Sequence, residues 1–95
     1  MVTTISTITT ITEVPLYEIA SIIRKDWVDK QNRPNIHFSA EPYVEAMETL
    51  TNITDKYICD DGRDVVARFL CNANSWRGEV AKAVKLELKR RLKNS

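Results

Sequence analysis

The chain has 95 residues, 43% hydrophobic and 28% charged, with a net charge of +1, two glycines and three prolines. That length holds one core and buries roughly 60–65% of the unfolded surface. No apolar run approaches the roughly 20 residues of a membrane span, and so few turn formers point to long regular elements.

Residues 1–14 set Ile5, Ile8 and Ile11 among threonines. The β-branched content favours extended chain, but the spacing of three does not match a strand, so a flexible or extended arm is expected. With no basic start and no leucine-rich centre, this stretch does not read as a signal peptide. An intracellular, reducing setting is therefore expected, with Cys59 and Cys71 as free thiols and no membrane association.

The expected single helical domain spans residues 15–95. Pro15 suits the first position of a helix. Leu16, Ile19, Ala20, Ile23 and Trp27 then recur at helical spacing, predicting a first helix over 15–29. Asn32, Pro34 and Asn35 break it, and Ile36 and Phe38 are expected to tuck back onto the core. A second helix is predicted after Ser39 or Glu41, with Pro42 in its first turn. Tyr43, Ala46, Met47, Leu50, Ile53 and Tyr57 carry its period, with a kink or break near 51–54 where threonines lower propensity.

Asp60 or Asp61 is placed to cap a third helix, whose apolar face is Val65, Val66, Phe69, Leu70 and Ala73. Asn74 or Ser75 is the expected cap of a fourth helix running to about residue 92. The fold class predicted is all-α, a compact bundle of about four helices with an N-terminal arm.

On the last helix, Trp76, Val80, Ala83, Val84, Leu88 and Leu92 share one broad face at about 100° per residue, with Glu87 and Arg91 inside its arc. Lys82, Lys85, Lys89 and Lys93 lie almost opposite. The tryptophan is therefore expected to close the bundle while the lysines point outward. Such a stripe can contact nucleic-acid phosphates. Its lysine chemistry, with Leu86 beside it, is poor for reading bases, which calls on Arg, Asn or Gln. A solvated face favoured by the helix dipole is the plainer reading.

The small net charge conceals an asymmetry: residues 76–95 carry a local net of +5 and residues 41–64 a local net of −5. A bipolar molecule offers opposite signs to different neighbours, including other copies of itself. Catalytic and metal chemistry find little support. His37 is the only histidine and sits in a loop, where packing or capping is the ordinary role. The cysteines stand twelve apart, and "CDDGRD" lacks the alternating ligands and closing glutamate of a calcium loop. No catalytic residue, metal ligand or cofactor is assigned.

"LYEIASIIRKDW", "PYVEAMETL" and "FLCNANSWRGEVAKAVKLELKRRL" together resemble a family of small uncharacterised proteins encoded in bacteriophage and other mobile-element genomes. Tyr43, Ala46 and Met47 match its Tyr-x-x-Ala-Met element. Phe69, Leu70, Asn72, Ala73, Trp76, Arg77, Gly78 and Glu79 match its Phe-Leu-x-Asn-Ala-x-x-Trp-Arg-Gly-Glu element. The resemblance covers residues 16–92 and fits less well at Asp60–Gly62 and the 30–36 loop. It implies a phage origin and the cytoplasm of an infected bacterial host, and no activity.

Physically, "NANSWRGE" reads as a corner. Asn72 would bond open carbonyls, Glu79 would satisfy the next helix start, and Arg77 would reach an acidic residue in 41–64. The alternative is that Asn72, Trp76 and Arg77 form an exposed patch gripping a protein. The functional expectation is a small non-catalytic accessory protein that binds a host or phage protein, self-association included. The alternative is a DNA-binding regulator using Lys82, Lys85, Lys89 and Lys93.

Overall fold

A computed structural model describes Ile11, residues 14–58 and residues 60–94. Helix α1 spans Leu16–Asp26 and buries Leu16, Ile19, Ala20 and Ile23, one stripe at helical spacing. Its opening N–H groups do not depend on a side-chain cap. Leu16 and Tyr17 instead donate to the carbonyls of Thr51 and Leu50, at 3.0 and 2.9 Å, from the segment after the second helix. The helix stops three residues short of the predicted end, because Trp27 leaves helical geometry and Val28 bridges to Pro34. Asp29 organises the loop by accepting from the backbone N–H groups of Gln31 and Arg33 and from the Arg33 side chain. Ile36 packs against the core as expected, but Phe38 does not tuck in: it is 83% exposed.

Helix α2 covers only Glu41–Met47. The period through Leu50 and Ile53 reports burial correctly, yet the helix ends well before Tyr57. Thr49 Oγ1 donates to the Ala46 carbonyl, and the Asp55 carboxylate accepts from the N–H groups of Thr51 and Asn52. These local bonds compete with the helical ladder and set the break. Arg24 ties α1 to both ends of α2 through Glu41 and Glu48.

Strands β1 (Lys56–Tyr57) and β2 (Asp60–Asp61) then form an antiparallel hairpin, pairing Lys56 with Asp61 and Tyr57 with Asp60. The protein is thus mostly helical but not all-α as predicted. Helix α3, Gly62–Cys71, is capped by Asp61, whose carboxylate accepts from the Arg63 N–H at 2.8 Å. Helix α4, Glu79–Lys93, begins from Gly78 rather than from Asn74 or Ser75. Each of these four described helices packs on two others, in the cycle α1–α2–α3–α4–α1.

At the core, Trp27 and Trp76 stack with ring centroids 5.6 Å apart, and Phe69 meets both edge-on at 6.4 and 6.3 Å. The Trp76 indole N–H donates to Asp26 at 2.9 Å, so this ring is both buried and satisfied. Most of the residues assigned to the N-terminal arm lie outside the described residues. Ile11, which falls within it, is 1% exposed and belongs to the core.

Candidate functional site

The outward face of α4 is set by the residues it buries. Ala81, Val84, Glu87 and Leu88 turn inward, which leaves Lys82, Leu86, Lys89 and Lys93 on one exposed line at spacings of four, three and four. Leu86 is 70% exposed in the middle of that line. Arg77, just before the helix, is exposed as well.

Lys85 leaves the stripe. Its ammonium donates to the Trp76 carbonyl at 2.7 Å and stands 6.0 Å from the Trp76 ring centroid. Burial lowers its pKa, and the positive charges of Lys89 and Arg77 lower it further. This lysine therefore secures the corner before α4, while Lys82, Lys89 and Lys93 remain on the open surface. Leu86, expected beside the lysine stripe, lies within the exposed line between Lys82 and Lys89, where Lys85 drops out.

The inner edge of α4 holds a buried carboxylate. Glu87 is 4% exposed, accepts two bonds from Arg90 at 2.8 and 2.7 Å, and accepts a third from Arg91 at 2.6 Å. Burial pushes its carboxyl up, but the two guanidiniums outweigh this and hold it below the usual glutamate range.

Asn72, Trp76 and Arg77 do not share one surface. The Asn72 side-chain amide donates to the Arg68 carbonyl at 2.8 Å, the expected cap at the end of α3. Trp76 is 2% exposed and lies in the core, so it is not a ring offered to a partner. Arg77 is exposed, and among the described residues no carboxylate in 41–64 pairs with it, contrary to expectation. Glu79 stands in the first turn of α4, where its negative charge suits the helix start.

An arrangement not visible in the sequence is an open polar groove of about 250 Å3 lined by His37, Ser39, Cys71, Asn72, Asn74 and Ser75. His37 Nδ1 accepts from the Ser39 N–H at 3.2 Å and lies 2.7 Å from Ser39 Oγ, while its ring stacks on exposed Phe38. The His37 carbonyl also accepts from the N–H groups of Ala40 and Glu41, so this residue organises the start of α2. The groove joins segments more than thirty residues apart, which no local pattern could reveal. Cys71 is an exposed free thiol, while Cys59 lies outside the described residues.

Among the described residues no cluster of three His, Cys, Asp or Glu side chains is placed to hold a metal ion. No described helix is long and apolar enough to cross a membrane. Comparison with protein-family models, curated proteins and solved structures found no match.

Proposed function

We propose that the chain is a small non-catalytic accessory protein that docks on the acidic surface of a host or phage protein through the outward face of α4. The observation that carries this reading is Leu86, 70% exposed within the line of Lys82, Lys89 and Lys93. An apolar side chain ringed by cations suits a contact with an apolar centre and a charged rim, as protein interfaces have. A phosphate backbone would use the cations and leave Leu86 idle. The resemblance of the Tyr43 and Phe69–Glu79 elements to phage-encoded proteins supports a setting in the bacterial cytoplasm during infection.

The runner-up is nonspecific duplex binding, favoured by the four exposed cations Arg77, Lys82, Lys89 and Lys93. Two variants separate the readings: Leu86→Ser, and a triple change of Lys82, Lys89 and Lys93 to Glu. Leu86→Ser is a surface change expected to leave the fold within about 0.5 kcal/mol of the parent, whereas the triple change costs about 1–2 kcal/mol because it puts glutamates near the C-terminal end of α4. Each is compared with the parent in capture from bacterial lysate and in titration of a labelled DNA duplex at low and moderate salt. Protein docking predicts captured partners lost by both variants and no duplex binding. Duplex binding that falls steeply with salt, disappears in the triple variant and survives Leu86→Ser would replace this reading with the regulator.

A further inference from the structure

The open groove between the start of α2 and the corner after α3 shares no residue with the outward line of α4. His37 and Ser39 line one side of it, and Cys71, Asn72, Asn74 and Ser75 line the other. No carboxylate, lysine or arginine is among these residues, so the groove holds no permanent charge to match a phosphate, carboxylate or ammonium group. A purely apolar ligand is equally unsuited, because it would strip water from amides and hydroxyls without replacing their hydrogen bonds. A neutral ligand rich in hydroxyls meets both constraints.

The hydrogen-bonding capacity of the groove residues is open to such a ligand. Among the described residues, the Asn74 amide and the Ser75 hydroxyl have no partner, and both residues are exposed. Asn72 donates its amide N–H to the Arg68 carbonyl, which leaves Oδ1 as an acceptor. His37 accepts the Ser39 N–H at Nδ1, so the neutral ring carries its proton on Nε2 as a donor. Donors and acceptors are both present, as a ring of hydroxyls requires.

An aromatic side chain stands beside them. Phe38 is 83% exposed, and its ring stacks on the ring of His37 with centroids 4.7 Å apart. The negative face of an aromatic ring attracts C–H groups polarised by neighbouring oxygens, which are those on the faces of a sugar ring. The groove volume of about 250 Å3 is below the roughly 300 Å3 at which pockets for drug-sized ligands begin, so it suits one ring rather than a chain.

We propose that this groove binds one neutral pyranose ring, its C–H face on Phe38 and its hydroxyls on Asn72, Asn74, Ser75 and His37. A ring with every hydroxyl equatorial suits it best, because only hydrogens then project from the faces. The site stands or falls separately from the docking role of α4. An open groove leaves much of the ligand in water, so the affinity is in the millimolar range.

The test follows amide NMR shifts of the 15N-labelled protein as methyl β-D-glucopyranoside is added. Glycerol, which has hydroxyls without an apolar ring face, and cyclohexanol, which has the ring with one hydroxyl, are the comparators. The expected result is saturable movement of the signals of residues 37–39 and 72–75 with the glucoside, and weaker binding of either comparator. Phe38→Ala and Asn74→Ala, both exposed changes, should each weaken glucoside binding about 3–10-fold. Their amide spectra away from the groove should match the parent. Cellobiose then separates the sources: tighter binding than the glucoside marks the end of a glycan, and equal or weaker binding marks a free sugar. No saturable movement with the glucoside, movement that glycerol reproduces, or variants that bind as well as the parent would overturn the proposal.

Discussion

Gly62 and Gly78 are required for opposite reasons. A Cβ on Gly62 would stand 2.6 Å from the Ile53 carbonyl oxygen and 3.0 Å from that of Asp55, which accepts the Gly62 N–H. Both obstacles are backbone, so nothing flexible can yield. Gly62→Ala is expected to cost about 2–3 kcal/mol in urea unfolding, as steric displacement and a weakened hydrogen bond combine. Around Gly78 there is open space, but its φ of +113° with ψ of −179° belongs to a region that side chains avoid. Gly78→Ala should therefore cost about 1–3 kcal/mol through backbone strain alone. A D-alanine introduced at position 78 by peptide ligation should recover most of that loss. If it does not, crowding rather than chirality is the reason. The capped start at "CDDGRD" was legible, because an Asp before a helix is a local signal. Its realisation goes further, since Arg63 pulls the Asp61 carboxyl down to about 2. The need for glycine at 62 was not legible, because it depends on where Ile53 and Asp55 run.

At the scale of elements, helix faces were readable and helix ends were not. Leu16, Ile19, Ala20 and Ile23 announce α1 through a repeat contained in one segment. The end of α2 depends on Thr49 and Asp55 choosing backbone partners, a competition that propensity indicates only as weakness. The hairpin was missed because its strands are two residues long and its turn starts with isoleucine where Asn or Gly is the usual sign. Glu87 and Arg91 were placed in the apolar arc of α4, and Arg90 completes the cluster. Because the Glu87 carboxyl is held below its unfolded range, its contribution is present above the unfolded value of about 4.3. That contribution is lost as pH falls through the lower folded value. Glu87→Gln is expected to cost about 1–3 kcal/mol at pH 7, where charged hydrogen bonds are replaced by neutral ones. Between about pH 5 and pH 3 its urea midpoint should fall less than that of the parent. Parallel pH profiles for the two proteins would show that the carboxylate contributes nothing through its charge.

The whole molecule is closed by a contact between the two ends of its described chain. Arg91, in the last turns of α4, donates to the carbonyls of Ile11 and Val14 at 2.9 and 2.8 Å while holding Glu87. Ile11 meanwhile sits in the core beside residues from the helices. Its isoleucine–threonine context reads as an arm because no local partner exists. The partner comes from eighty residues further along, and burial at that separation leaves no periodic trace. Emptying the site by Ile11→Ala should cost about 2–4 kcal/mol, the usual range for a large aliphatic side chain removed from a packed interior. Arg91→Lys keeps a cation near Glu87 but gives up the planar fork that reaches two carbonyls and a carboxylate, for a loss of about 1–2 kcal/mol. The double variant decides whether these act as one device. If Arg91 holds the backbone that places Ile11 in the core, then once Ile11 is gone the guanidinium has less to hold. The double variant should then lose less than the two single losses together, by at least about 0.5 kcal/mol. Additive losses would make Ile11 an ordinary core residue and Arg91 a partner of Glu87 alone.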